Sequence, residues 1–555
     1  MGIVIVDGRE IEIGDGERLN GIQAALRAGI VIPHYCWHPG LSVAGSCRMC
    51  LVEVGTRDPK TGHVTMLPKL APACNTPVRD GTVLVTNSEK VARARAMVQE
   101  SLLLRHPIDC PICDKAGECS LQDYHFQYGQ PERRADLRPF SSRRRDVAAN
   151  ITLFVDRCVM CGRCVRFCRE VSGTSELMVV SRGAHEEIDV MPGFPLDNPL
   201  SGNVVDLCPV GALCDKEFLY RQRVWFLRRH AALCGGCASG CSIWIEENQD
   251  RIWRIKPRDN ALVNQWWICN EGRYGFGHVH SDRRLTVPLR REGGTAEPVE
   301  WQAAVAELPG RLSQAGRLAA VFSPFLSVEE AYLLARFMRG IDPEAVLAIG
   351  PIPRAGSDTS FPGGFVISGE KCPNRRGVEE VLAGYSGAAW RSGPLVSFEQ
   401  LLGQLEAGRF GGVWVSGGYP TDWIDPPTAS RFRGLRLLVV QDLFPSPLAE
   451  MATYALPGSA LAERDGSYVN RHDHLQSVRA AVRPPGGVRP EGTLFWELLG
   501  RPGLYQASNV LREVAAEIRY FHVAGGSIPE LGLNLKLNLL AEGPGAVARS
   551  SQSAV

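Results

Sequence analysis

Cys158-Val-Met-Cys161-Gly-Arg-Cys164-Val-Arg-Phe-Cys168 places four cysteines with two, two and three residues between them. Thiolates at this spacing hold [4Fe–4S] clusters, and in two-cluster ferredoxins the fourth cysteine of each run serves the other cluster. The reciprocal run should end at Cys208-Pro209. Counting back from Cys208 by the same intervals gives Asn198, Ser201 and Val204, none of them a thiol. A second cluster has therefore lost three ligands. One [4Fe–4S] cluster remains, expected on Cys158, Cys161, Cys164 and Cys208, and Cys168 is left without a cluster to serve.

Three further sets flank this run. Upstream lies His106-x3-Cys110-x2-Cys113-x5-Cys119. Three thiolates leave one iron position open, and His106 stands within reach of it. An imidazole in place of a thiolate removes a negative charge and, in Rieske centres, raises the potential. The N-terminal set is Cys36-x10-Cys47-x2-Cys50-x23-Cys74. A long loop, a C-x-x-C and a distant cysteine after a strand suit a [2Fe–2S] cluster wrapped by a β-grasp loop, with the backbone around Gly45 and Ser46 donating to sulfur. Downstream lies Cys234-x2-Cys237-x3-Cys241-x27-Cys269, again suited to a [4Fe–4S] cluster. Together the four sets take fifteen of the 18 cysteines. Cys214 and Cys372 are spare and read as buried free thiols. Zinc also accepts four cysteines, but a zinc-stapled scaffold leaves the half-pattern of Cys168 and Cys208 unexplained.

The chain has 555 residues, 22% of them charged, with a net charge of +1. That length calls for several domains, and the neutral balance gives no support for nucleic-acid binding. The start, MGIVIVDGREIEIGDG, lacks the basic and apolar regions of a signal peptide, and no apolar run is long enough to span a bilayer. C-x-x-C groups in that context read as metal sites of a reducing compartment rather than disulfides.

The strands IVIV and EIEI flank Asp7-Gly8, a hairpin signal, and NGIQAALRAGI, CLVEV and GTVLVTN read as helix, strand and strand. KVARARAMVQESLLLR reads as a helix leading to His106. The Arg-, Pro- and Ser-rich stretch PERRADLRPFSSRRRD, with Arg143–Arg145, reads as a solvated connector. Beyond residue 286 cysteine nearly vanishes and βα units begin: RLAAVFSP then SVEEAYLLARFM with Ser327 as N-cap, followed by the apolar strands GGVWVSGGYP and LRLLVVQDLFP, predicting a parallel α/β sheet. The last residues read as a frayed tail.

HPIDCPICDKAGECSLQDYHFQYG and LSGNVVDLCPVGAL, with the four sets in this order, resemble the large iron–sulfur subunit of respiratory complex I, the proton-pumping NADH–quinone oxidoreductase. CPNRRGVEEVLAG, YALPGSALAERDGSYVNRHDHLQ and RPPGGVRPEG resemble segments of the molybdopterin oxidoreductase fold. The resemblance implies an α+β multidomain chain. Its expected parts are a β-grasp [2Fe–2S] ferredoxin domain (1–90), a His/Cys [4Fe–4S] segment (91–130), a degenerate ferredoxin-like [4Fe–4S] domain (131–225), a [4Fe–4S] subdomain of molybdopterin-oxidoreductase type (226–285), a shortened molybdopterin-oxidoreductase-like α/β domain (286–535) and a tail (536–555).

The family implies one [2Fe–2S] and three [4Fe–4S] clusters, no molybdenum, and no active site of the chain's own. Electrons would pass from the NADH/flavin subunit, through this chain, to the iron–sulfur subunit that leads to quinone. The fourth cluster is expected off that path. The chain would be peripheral, held by other complex I subunits at the cytoplasmic face of the bacterial inner membrane, with no direct membrane insertion. Competing readings are the molybdenum or tungsten subunit of an NAD-linked formate dehydrogenase, an iron hydrogenase, and the diaphorase arm of a hydrogenase. The first needs a metal-ligating residue in the large domain, where only Cys372 follows Cys269.

Overall fold

In a computed structural model of the chain, residues 2–132, 134–141, 144–183, 185–292, 294–385 and 395–536 are described. Arg143 and the expected tail beyond residue 536 lie outside them. The chain divides into two compact units, residues 1–227 with 361–365, and residues 228–360 with 366–555.

The first unit begins with the expected hairpin. Gly2–Val6 pairs antiparallel with Arg9–Ile13, and Asp7 and Gly8 turn the chain at φ 45° and 82°. Two left-handed residues match the twist of such a pair, which is why Asp-Gly stands there. Gly2–Val6 then pairs in parallel with Thr82–Val85, which pairs antiparallel with Leu51–Arg57. The helix Gly21–Arg27, opened by an Asn20–Gln23 capping box, covers this sheet and closes a core that includes Val4, Val6, Ile22, Val52 and Leu84.

The helix Glu89–Leu103, N-capped by Ser88, carries the chain toward His106. A second small sheet then forms from Arg144–Asp146, Ile151–Phe154 and Leu213–Asp215. The end of the expected solvated connector is thus ordered structure. Arg144–Asp146 is a strand, and Arg145 forms ion pairs with Asp189 (2.7 Å) and Glu187 (3.4 Å) on the hairpin strand Glu187–Val190. Those carboxylates offset the charge that made the stretch read as solvated.

In the second unit, Arg228–Leu233, Ser242–Asn248 and Arg251–Pro257 form an antiparallel sheet. The larger sheet runs Thr295–Pro298, Leu289–Glu292, Tyr454–Pro457, Leu437–Asp442, Gly412–Ser416, Leu318–Phe322, Val346–Ile349, Leu395–Val396. The last six are parallel, as expected. Leu289–Glu292 and Thr295–Pro298 extend the edge antiparallel, which the sequence pattern did not indicate. Both faces are covered. Ala320, Phe322, Trp414 and Val439 pack into one core, while Ala319, Val321, Val413 and Val415 pack into the other. Burial on both faces is why these strands read as unbroken apolar runs.

Val328–Ile341 is the helix expected after RLAAVFSP, and Ser327 and Glu330 form its capping box. It is buried even at its polar positions, since Glu329 and Glu330 are both 0% exposed. Glu329 accepts from Ser467 N–H (2.8 Å) and Glu330 pairs with Arg464 (3.2 Å).

Candidate metal centres

All 18 cysteines are free thiols. Among the described residues no three His, Cys, Asp or Glu side chains gather around one single-ion position.

Strand register assembles the first set. Leu51 pairs with Pro72 and Ala73 N–H donates to Cys50 C=O (2.9 Å), so Cys50 and Cys74 enter together at the end of one ladder. The long loop brings Cys36 and Cys47 to the same place. Left-handed Gly45 (φ 63°) and Arg48 (φ 59°) turn the backbone around Cys47. For Arg48 that conformation costs about 1–3 kcal/mol, strain of a kind that collects at binding sites. Tyr35 N–H points at Cys47 Sγ (3.5 Å). The sulfurs meet in pairs, Cys36 with Cys47 and with Cys74, and Cys50 with Cys74. Hydrogen bonds from the Cys47 and Cys74 thiols hold Cys36 far below the ordinary thiol range, and the same hydrogen bonds, with burial, push both of those thiols up. Four thiols packed this closely, three of them buried, therefore cannot all ionise unaided. A bound cation would remove that obstacle, because metal binding deprotonates thiols.

In the second set, Cys113 N–H donates to Asp109 C=O (2.8 Å) and Cys119 precedes the helix Ser120–Tyr128. Cys113 interacts with Cys110, and Cys119 with Cys113; burial pushes the Cys119 thiol up to about 11. His106 is half-buried. Burial and then Arg157 lower its pKa and so favour the neutral imidazole, while Asp109 and Asp156 pull the other way.

The third set lines one small cavity: Cys158, Cys161, Cys164 and Cys208 face it together with Val159, Ile188 and Leu213. Cys158 follows a short turn, Cys164 lies in the helix Arg163–Phe167, and Cys208 ends the helix Asn203–Leu207. Phe154 N–H donates to Ala212 C=O (2.7 Å), tying the strand before Cys158 to the segment after Cys208. Met160 (φ 49°) and Gly162 (φ 67°) are left-handed, and Met160 N–H donates to Cys158 Sγ (3.3 Å). Burial pushes the Cys161 thiol up to about 11. Cys168 is fully buried beside Glu176, with Leu177 N–H also on its sulfur, and burial pushes it up to about 12. Asn198 and Ser201, which stand where a second run would have cysteines, are buried polar residues, and Asn198 donates to Glu176 Oε1 (2.9 Å).

The fourth set belongs to the second unit. Cys234 N–H donates to Cys241 C=O (2.8 Å), Cys237 lies in the turn between them, and Cys269 caps the helix Asn270–Tyr274. All four thiols interact, and burial raises Cys234, Cys241 and Cys269. Gly236 and Gly272 N–H groups reach Cys234 Sγ and Cys269 Sγ, each at 3.4 Å.

The structure thus brings together the members of the four cysteine groups. Two kinds of supporting residue escaped the sequence reading. Gly211 and Gly272 are needed as glycines because a Cβ there would crowd Cys113 Sγ and Cys234 Sγ; their signal was a glycine close to a ligand motif. Arg157 lies against Cys113, and Arg163 and Arg166 against Cys161; for the last two the alternation of Arg with Cys in CGRCVRFC was the available sign. In the first unit a cleft of about 720 Å³ is lined by Cys47, His106 and Cys158, one residue from each of three sets.

Known protein families match the chain in the same order. Residues 3–89 match a 2Fe-2S iron-sulfur cluster binding domain, and residues 95–134 the NADH-ubiquinone oxidoreductase-G iron-sulfur binding region. Residues 148–214 match the ferredoxin-like domain of NADH-quinone oxidoreductase subunit 3. Residues 227–281 match the molybdopterin oxidoreductase Fe4S4 domain and 396–501 molybdopterin oxidoreductase. The NADH-quinone oxidoreductase G subunit of Rickettsia typhi is 36% identical over 333 residues, 60% of this chain and 47% of the relative. The mitochondrial NADH-ubiquinone oxidoreductase 78 kDa subunit of Neurospora crassa is 39% identical over 307 residues, 55% of this chain and 39% of the relative. A crystal structure of an NAD+-reducing [NiFe]-hydrogenase in the H2-reduced state aligns at TM-score 0.34 and 29% identity, covering 40% of this chain and 91% of that one. The chain spans about half the length of the curated relatives it matches. In the order of these domain matches and in its identity to these relatives, the chain is similar to the NADH–quinone oxidoreductase G subunit and the mitochondrial 78 kDa subunit.

Proposed function

We propose that this chain is an electron-relay subunit of a complex I-type NADH–quinone oxidoreductase. The observation that carries the reading is the cleft of the first unit, where Cys47, His106 and Cys158 bring three ligand sets to one opening. Cys36, Cys47, Cys50 and Cys74 would hold a [2Fe–2S] cluster. His106 with Cys110, Cys113 and Cys119, then Cys158, Cys161, Cys164 and Cys208, then Cys234, Cys237, Cys241 and Cys269 would each hold a [4Fe–4S] cluster. Such clusters accept and release single electrons. The protein's own part is to keep the thiols buried, to aim backbone N–H groups at sulfur, and to exclude water, and these are the levers that tune a cluster's potential.

The partners implied are a flavin-bearing NADH-binding subunit on one side and an iron–sulfur subunit leading to quinone on the other. Among the described residues no helix is long and apolar enough to cross a membrane, and attachment through partner subunits is the arrangement we propose. For the fourth set, in the second compact unit, the role we propose is structural or that of a side reservoir. In the α/β domain Cys372 is fully buried against Phe325 and Tyr419, which speaks against its serving as a molybdenum ligand.

The test is Cys50→Ser in the assembled complex. NADH-driven quinone reduction should be lost while ferricyanide reduction at the flavin subunit survives. Normal quinone reduction in that variant would remove the first set from the path.

A further inference from the structure

Two arginines inside the CGRCVRFC run hold the first and third ligand sets against each other. Both project from the helix that carries Cys164. Arg166 donates through Nη2 to the Cys36 carbonyl and to the Cys161 carbonyl (3.4 Å), and through Nη1 to the Ser42 carbonyl. Arg163 donates to the Trp37 carbonyl (2.5 Å) and to the Leu207 carbonyl (3.3 Å). Each guanidinium therefore spans from the Cys36 loop to the backbone of the third set: Arg166 at Cys161, and Arg163 beside Cys208. Glu170, just past this helix, completes the seam by accepting from Ser42 N–H (2.8 Å) and Ser42 Oγ (2.6 Å).

The charge of these residues is as telling as their reach. Arg166 is 7% exposed. Among the described residues neither guanidinium forms an ion pair with a carboxylate; every acceptor named above for them is a neutral carbonyl. A buried cation without a counter-ion is costly, and the half-buried Arg163 beside it adds to that cost. Cys161, Tyr124 and Cys208 are the groups close enough to interact favourably with Arg163. The planar five-donor fork of arginine suits bridging two backbones at once, which lysine does with less fixed geometry.

We propose that Arg163 and Arg166 are positioning residues which clamp the Cys36 loop onto the Cys158–Cys208 set and supply the positive charge shared by the two clusters held there. The inference rests on the ligand reading proposed above. Reduction adds negative charge to a cluster, and a fixed cation nearby favours the reduced form and raises the potential. One helix thereby sets the separation of the two centres and raises the potential of both.

The experiment is an anaerobic redox titration followed by electron paramagnetic resonance on the full chain, comparing wild type with Arg163→Gln, Arg166→Gln, Arg166→Lys and Arg169→Gln. Arg169 lies one turn on, is exposed, and pairs with Glu170. The expected result is a lower midpoint potential for both the [2Fe–2S] signal and the third set's [4Fe–4S] signal in Arg163→Gln and Arg166→Gln. Arg166→Lys should return toward wild type and Arg169→Gln should match it. Unshifted potentials in loaded Arg166→Gln, or Arg166→Lys shifted as far as Arg166→Gln, would overturn the proposal. If Arg166→Gln does not load clusters, Arg166→Lys decides: loading at near wild-type potentials supports the charge role, and failure to load refutes it. A wild-type chain without the two signals would instead overturn the ligand reading itself.

Discussion

Alanine at Gly272 distinguishes a free thiol from a metal ligand. A Cβ built on Gly272 would lie 2.8 Å from Cys234 Sγ and 3.2 Å from an Ile268 side-chain carbon. Comfortable non-bonded contact needs about 3.5–4.0 Å, so the sulfur has to retreat by roughly 1 Å. A free thiol can do so by rotating about its Cα–Cβ bond, at an overpacking cost of about 1–3 kcal/mol. A sulfur fixed by a metal bond of about 2.3 Å, the length known for zinc thiolates, cannot retreat without breaking it. Gly272→Ala is therefore expected to remove one [4Fe–4S] cluster, about 4 of about 14 irons, and to leave the other signals in place. Gly236→Ala is the control, because its Cβ would lie at an ordinary 3.5 Å from the same sulfur. Gly211→Ala, which crowds Cys113 Sγ harder still, should remove the second set's cluster in the same way. The assay is iron and acid-labile sulfide per folded chain, with spectra of the reduced protein. A full iron complement in folded Gly272→Ala would refute the reasoning and release Cys234 from ligand duty.

Further outcomes follow from other sites. Cys168→Ser should leave iron content unchanged, since Cys168 packs against Glu176 beside a site whose other ligand positions are Asn198, Ser201 and Val204; loss of one [4Fe–4S] signal would contradict this. His106→Cys should retain its cluster and lower the potential, because a thiolate adds negative charge, and an unchanged titration would count against His106 as a ligand. Arg464 reaches Glu330 (3.2 Å) and Glu491 (3.1 Å) with all three side chains buried, so Arg464→Met should destabilise the second unit by about 3–5 kcal/mol in denaturant titration. Burial pushes the Glu330 carboxyl up to about 7 from 4.5, against the pull of Arg464. A raised carboxyl favours the folded state when protonated, so its contribution is full below about 4.5 and is lost as pH rises through about 7. Glu330→Gln should flatten the fall in melting temperature across that window, and an unchanged slope would show that another group titrates.

The closeness of the C-x-x-C cysteines was legible because short spacing is a local property of the chain. So were the Asp7-Gly8 hairpin and the Ser327 cap, where the deciding residues lie within four positions of one another. The rest depended on distant partners. Arg166 binds Cys36 C=O from 130 residues away, and a sequence gives no direct signal for a backbone carbonyl as acceptor. Glu329 and Glu330 would ordinarily face solvent on an amphipathic helix. They are buried because Ser467 and Arg464 arrive from a later strand and loop. Arg145 read as solvated until the strand Glu187–Val190 brought Asp189 to it. The antiparallel edge was missed because Leu289–Glu292 is short and charged and owes its place to pairing with Tyr454–Pro457.

The most direct test of the relay reading is the metal content of anaerobically purified full chain, measured as iron, acid-labile sulfide, zinc, molybdenum and tungsten. About 14 irons are expected, from one [2Fe–2S] and three [4Fe–4S] clusters, with no stoichiometric molybdenum or tungsten. Stoichiometric molybdenum or tungsten would contradict that reading and make the α/β domain catalytic, and zinc in place of iron would reduce the four sets to structural staples.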